Sequence, residues 1–148
     1  MIWKPNVTVA AVLERDGKFL LVEENTDDGV RFNQPAGHLE CREKLTDAVV
    51  REVLEETGHT FVPEALVGIL QWRKEEKDIT YLRFVFTGPV IAHDASRPLD
   101  EGIIAAHWLT LDEIRARQAQ HRSPMVMRCF EDWCAGKRYP LEIVTNFS

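Results

Sequence analysis

Between Gly37 and His59 the chain reads GHLECREKLTDAVVREVLEETGH, and the glutamates at positions 52, 55 and 56 constrain the fold more than any other feature. At i, i+3 and i+4 on a helix advancing about 100° per residue, all three fall within one narrow arc. Like charges at that spacing destabilise an isolated helix by about 0.2–0.5 kcal/mol per pair, so the arrangement needs an offsetting partner. A divalent cation meets the need. Carboxylate oxygens suit Mg²⁺ or Mn²⁺, and Mg²⁺ characteristically takes a few carboxylates together with water and substrate phosphate oxygens.

The competing reading is an ordinary solvated face, the usual fate of a charge cluster on a surface helix. Val50, Val53, Leu54 and Thr57 lie opposite Glu52 and Glu56 and mark the expected core stripe, yet Leu45 and Val49 fall on the glutamate side. A fully solvated face does not carry them. That side is therefore expected to be partly covered by the preceding Pro35-Ala36-Gly37 loop, and partly buried carboxylates need a partner.

The same residues resemble the Nudix box, in which Gly37, Glu43, Arg51, Glu52, Val53, Glu55, Glu56 and Gly58 stand at the required spacing. Seven fixed letters coincide by chance at roughly one start position in 10⁸ or fewer. His59 stands where the pattern has an aliphatic residue. The resemblance implies Glu52, Glu55 and Glu56 as metal ligands, Glu43 as a supporting carboxylate, Arg51 as the residue orienting the glutamates, and Gly37 as a further ligand through its carbonyl. Arg51, four residues before Glu55, can hold it by a charge-assisted hydrogen bond that lysine would make less well. Gly58 also has a structural role, supplying the left-handed cap that stops a helix.

With 148 residues, 45% hydrophobic and 28% charged, the chain is expected to be a single domain, residues 1–148. A net charge of −6 without a basic stripe argues against nonspecific nucleic-acid binding, and an acidic enzyme with an acidic substrate needs metal to neutralise both. Cys41, Cys129 and Cys134 are odd in number and lack paired spacing, so neither a disulfide framework nor a zinc site is indicated. The start, Met1-Ile2-Trp3-Lys4-Pro5, has no basic region leading into an apolar core, and no apolar run reaches membrane-spanning length. A cytoplasmic monomer acting on a small molecule is the expectation.

Along the chain, Val7 to Glu14 reads as a β-branched strand, and Asp16-Gly17 signals a hairpin returning through Phe19 to Glu24. A loop at 25–30 and a short strand around Arg31 to Gln34 lead to the box helix, Lys44 to Thr57. Ala65 to Arg73 and Ile79 to Thr87 form a second hairpin. A loop from Ile91 to Glu101 precedes a strand at Ile103 to Trp108. Thr110-Leu111-Asp112-Glu113 is a capping box opening a helix, and Ser123-Pro124 opens a last helix ending near Ala135 before Gly136. This order is α+β. The resemblance further implies the Nudix α/β/α sandwich, a mixed sheet between helices.

The likeness extends over most of the chain, through KPNVTVAAVLERDGKFLLVEE, NQPAGHLE, YLRFVF and the RSP and RYPLE runs. These match a phosphatase subgroup of the family, which implies release of inorganic phosphate from nucleoside tri- and diphosphates, hydroxymethylpyrimidine pyrophosphate and thiamine pyrophosphate. Candidates for the base that activates water are a box glutamate and Glu101, for which a solvated loop position is the competing and favoured reading. For substrate contacts, Arg31 and Arg83 can grip phosphate, with solvent favoured for Arg31 and the site for Arg83. Phe32, Trp72 and Tyr81 can stack on a ring, although core packing is the more usual role of such residues. His38 lies beside Gly37 and can reach substrate. His59, His93, His107 and His121 show no ligand spacing. Cleavage of ADP-ribose or another nucleoside-diphosphate derivative is the alternative chemistry, and a nucleotide-binding regulatory module is the alternative class; that module has no need for Arg51 and the three glutamates together.

Overall fold

The structure is a computed structural model that describes residues 1–147. Its strands are β1 (Asn6–Val12), β2 (Glu14–Arg15), β3 (Lys18–Thr26), β4 (Gly29–Asn33), β5 (Ala36–His38), β6 (His59–Phe61), β7 (Ala65–Lys74), β8 (Ile79–Thr87), β9 (Val90–His93), β10 (Ile103–Leu109) and β11 (Tyr139–Pro140). The helices are α1 (Leu45–Thr57), α2 (Leu111–Ala116) and α3 (Met125–Cys134). The central sheet has the order β11-β7-β8-β1-β5 and is mixed, because β1 and β8 run parallel while the other pairs are antiparallel. A second sheet joins β10, β3 and β2, with β4 also on β3, and β6 pairs with β9.

Alternation along β1 explains the layers. Val9, Ala11 and Leu13 point to one side and pack with Ala48, Val49 and Val53 of α1, whereas Val12 points to the other and packs with Val126, Cys129 and Phe130 of α3. The neighbouring strands split the same way, Phe86 toward α1 and Val85 toward α3. A strand buried on both faces needs a helix on each. The result is the α+β fold, a mixed sheet with α1 on one face and α3 on the other. No described helix is long and apolar enough to cross a membrane.

Local signals held where the chemistry is local. The Thr110 hydroxyl accepts from the Glu113 N–H while the Glu113 carboxylate accepts from the Thr110 N–H, completing the capping box. Gly58 adopts φ 72° and its N–H donates to the Leu54 carbonyl, ending α1.

Other expectations are corrected. Residues 25–30 are not a loop but the end of β3, a tight turn and the start of β4, closed by the Thr26 hydroxyl donating to the Gly29 carbonyl. Part of the expected 91–101 loop is β9, and Ala36–His38 is a strand because β1 pairs with it. The buried stripe of α1 is Ala48, Val49, Glu52, Val53, Glu56 and Thr57, with Val50 and Leu54 only half-buried. The helix is thus rotated toward its glutamates, because β1 and β5 pack on that side.

Candidate active site

One side chain organises the acidic end of the site. Arg51 grips Glu43 with two bonds, Nε to Oε2 at 2.7 Å and Nη2 to Oε1 at 2.9 Å. Its Nη1 donates to Glu52 Oε1 at 2.7 Å and more weakly to Glu55 Oε2 at 3.3 Å, and Nη2 also donates to the His38 carbonyl at 3.0 Å. Hydrogen bonds to charged groups contribute about 1.5–3 kcal/mol each, so this fork fixes the glutamate rotamers and ties α1 to β5. The tighter hold is on Glu52 rather than on Glu55. Its hydrogen bonds lower the Glu43 carboxyl below the usual range, against a smaller effect of burial.

Glu52, Glu55 and Asp100 each offer a carboxylate oxygen, and these oxygens lie within 4.8 Å of one another. Ligand oxygens about 2.1 Å from one octahedral Mg²⁺ stand roughly 3–4 Å apart, so an all-carboxylate set this close suits a hard divalent cation. Burial raises the carboxyl pKa of Glu52 against the pull of Arg51, and burial together with Asp100 raises that of Glu55. Each prefers a proton or a cation. Glu56 is buried apart from the triad, with Oε1 accepting from the Ala36 N–H at 2.9 Å, and burial pushes it well above the usual carboxylate range. Gly37 matters sterically: a Cβ there would sit 2.1 Å from the Glu52 carboxylate carbon, so only glycine lets β5 approach this closely.

Asp100, not Glu101, joins the cluster. The Asp100 N–H donates to the Glu55 carbonyl at 2.9 Å, and the Asp94 N–H to the Gly58 carbonyl at 2.9 Å, so both ends of the intervening segment are fastened to the last turn of α1. Glu101 lies one residue on, exposed in a turn before Gly102 at φ 91°, and belongs neither to the triad nor to the cavity. Sequence held no signal to rank one adjacent carboxylate over the other.

Beside the acidic cluster is a cavity of about 410 Å³, whose walls include Gly37, His38, Glu52 and Glu56 together with Trp72, Tyr81 and Arg83. Trp72 and Tyr81, paired across β7 and β8, stack with centroids 5.7 Å apart and planes 16° apart. Lys74 and Arg122 also line it, paired with Asp28 at 3.4 Å and Glu24 at 2.7 Å. His38 lines it too, its ring 3.4 Å from the Asn6 amide.

Two candidate contacts take the roles favoured over substrate binding. Phe32 is buried among Phe19, Val67 and Ile114, because its strand turns that side chain into the core. Arg31 bonds the carbonyl of its neighbour Val30 and does not reach the cavity. Thr8, Asn33 and Gln34, none of them a sequence candidate, stand around Arg83. The NQ of the NQPAGHLE run was their only visible trace.

Clustered carboxylates at the edge of a cavity are compatible with a site that takes a divalent cation. The NUDIX domain model matches residues 3–129. Phosphatase NudJ of Escherichia coli (strain K12) is 38% identical over 147 residues, covering 99% of this chain and 95% of that protein. A solved structure, a NUDIX hydrolase from Nitrosomonas europaea, superposes with a TM-score of 0.95 at 56% identity over 97% of this chain and 98% of that one. A MutT NUDIX hydrolase from Burkholderia pseudomallei shares the fold, with a TM-score of 0.74 at 20% identity over 88% of this chain and 98% of that one. The chain belongs to the Nudix family and is a Nudix phosphohydrolase acting on a small molecule.

Proposed function

We propose that the enzyme is a Mg²⁺-dependent phosphatase of phosphoanhydrides, releasing inorganic phosphate from nucleoside tri- and diphosphates, hydroxymethylpyrimidine pyrophosphate and thiamine pyrophosphate. The observation that carries the reading is the carboxylate cluster of Glu52, Glu55 and Asp100, of which Glu52 lines a cavity shared with Trp72, Tyr81 and the buried Arg83. The likeness to NudJ, a phosphatase, supports it. Glu52, Glu55 and Asp100 would hold the cation, with Mn²⁺ an acceptable substitute. Bound there, the ion supplies charge neutralisation on phosphate oxygens.

The chain's own residues do the rest. Arg51 keeps Glu52 and Glu55 in place before substrate arrives, and such preorganisation is the main protein contribution to phosphoryl transfer. Glu56 has Oε1 engaged by Ala36, which leaves Oε2 to take the proton of the attacking water. Burial raises its proton affinity, which favours its taking a proton over its remaining ionised.

The test is phosphate and pyrophosphate release from those four substrate types and from ADP-ribose, with Mg²⁺ and with chelator, in wild type and in Glu56→Gln. Mg²⁺-dependent inorganic phosphate from the first four, lost in the variant, is the expected result. Preferential ADP-ribose cleavage would overturn the substrate assignment, and tight nucleotide binding without turnover would make the protein a regulatory module.

A further inference from the structure

Two buried polar side chains on the cavity floor lack the partners that burial demands. Arg83 is 5% and Thr8 7% exposed, both line the cavity, and they are direct neighbours across the parallel β1–β8 pair. Thr8 Oγ1 and Arg83 Nε have no hydrogen-bond partner among the described residues. The rest of the guanidinium meets only uncharged acceptors: Nη1 donates to Gln34 Oε1 at 2.9 Å and Nη2 to Asn33 Oδ1 at 3.1 Å, with Cys129 Sγ 3.8 Å from Nη1. Arg122, which lines the same cavity, and Arg51 of the acidic cluster each pair with a carboxylate. Among the described residues, none pairs with Arg83. Guanidinium does not give up its proton in a protein, so a buried cation held by two amides is a charge left uncompensated.

We infer that Arg83 and Thr8 form a phosphate seat, separate from the acidic cluster, for the phosphate that remains on the organic group. The inference rests on the phosphohydrolase reading above. Strands lie about 4.8 Å apart, so β8 stands roughly 10 Å from β5, where Gly37 meets Glu52. Across the sheet the order is acidic cluster at β5, Thr8 on β1, Arg83 and Tyr81 on β8, and Trp72 on β7. A substrate laid along it places its terminal phosphate at the carboxylates, its inner phosphate on Arg83 and its ring on the Tyr81–Trp72 wall. With parallel rings only 5.7 Å apart, no third ring fits between them, so the substrate ring lies against their outer faces.

This seating decides which bond breaks. Water adds its oxygen to the terminal phosphorus, its proton goes to Glu56, and the bond from that phosphorus to the bridging oxygen breaks. The bridging oxygen leaves with the electron pair as part of the organic product on Arg83. Inorganic phosphate departs, and the product retained is a monophosphate from a diphosphate substrate and a diphosphate from a triphosphate.

Calorimetric titration in EDTA tests the seat without metal or turnover, using thiamine monophosphate against thiamine and AMP against adenosine. Wild type is expected to bind each monophosphate at least tenfold more tightly than its unphosphorylated partner, and Arg83→Gln to erase that preference. Equal affinity in wild type, or a preference surviving in folded Arg83→Gln, overturns the inference. Because Arg83 also holds Asn33 and Gln34, Thr8→Val is the second variant: it removes only a hydroxyl that has no partner among the described residues, and a threefold or greater loss of monophosphate affinity is expected. Unchanged affinity there removes Thr8 from the seat and overturns the pairing proposed. Hydrolysis in ¹⁸O-water is expected to label inorganic phosphate, whereas label in the monophosphate refutes terminal attack. Absence of any hydrolysis would sink the phosphohydrolase reading and leave the EDTA titrations to judge the seat alone.

Discussion

Replacing Gly37 with alanine tests whether the acidic cluster depends on position as well as on composition. The new Cβ would lie 2.1 Å from Glu52 Cδ and 2.2 and 2.3 Å from its two oxygens. Ordinary contact begins at 3.4 Å, so the carboxylate must retreat by 3.4 − 2.1 = 1.3 Å. Gly37 does not have positive φ, so alanine introduces no backbone strain of its own. The retreat breaks the 2.7 Å bond from Arg51 Nη1, a loss of about 1.5–3 kcal/mol, and opens the Glu52–Glu55–Asp100 triad. Misplacement by about 1 Å costs on the order of 100-fold in rate. Gly37→Ala is therefore expected to lose about 100-fold or more in kcat/KM for phosphate release and to need far more Mg²⁺ for the same thermal shift, while every ionisable ligand is still present. Gly17→Ala is the control, since it has positive φ but nothing within 4 Å of its added Cβ. Activity within threefold of wild type in Gly37→Ala would refute the geometric reasoning, because the carboxylate would then have moved without consequence.

Glu56→Gln should make the metal-free protein more stable while abolishing turnover, because it keeps an oxygen for the Ala36 N–H and removes a charge that burial penalises. A gain of about 1–3 kcal/mol, or roughly 2–12 °C in Tm, is expected at pH 8 in EDTA. With the folded pKa raised, the penalty builds as pH rises from the ordinary glutamate value toward the raised one, so the gain should shrink as pH falls toward 5; a Tm below wild type at pH 8 contradicts the assignment. His59 runs the opposite way. Burial, reinforced by the neighbouring His93, lowers its pKa below the ordinary value of about 6.5. Its contribution is present above that value and lost as pH falls through the lowered one. Differential scanning calorimetry at pH 8 and 5.5 should show His59→Ile losing less Tm on acidification than wild type, and equal losses would remove His59 from the pH response.

The legibility of this chain follows the range of the forces involved. Glutamates at i, i+3 and i+4, the Thr110 capping box and the Gly58 stop act within one or two turns, and all could be read from spacing. The turn at Asp28-Gly29 is equally local, an Asp-Gly pair of the kind that closes a hairpin between β3 and β4. What could not be read depends on contacts distant in sequence. Asp100 outranks Glu101 only because its backbone N–H reaches Glu55 across the fold. Ala36–His38 becomes a strand only because β1 offers it an edge. Alternation placed Arg83 opposite Leu82 and Phe84, but the Asn33–Gln34 cradle, 49 and 50 residues away, lies beyond any local pattern.

The fastening of Asp94 and Asp100 to one helical turn has a consequence for how such a protein can be altered. Residues 95–99 form an arc between two anchors, mostly exposed at the surface, and its geometry need not be transmitted to either end. Lengthening an arc of this kind costs only about 0.6 kcal/mol per doubling of its length. The span around Ser96, Arg97 and Pro98 is accordingly where a reporter peptide or a new recognition element can be grafted beside the reaction centre with Asp100 still in register. A deletion that pulls on either anchor would instead be felt by the glutamates themselves.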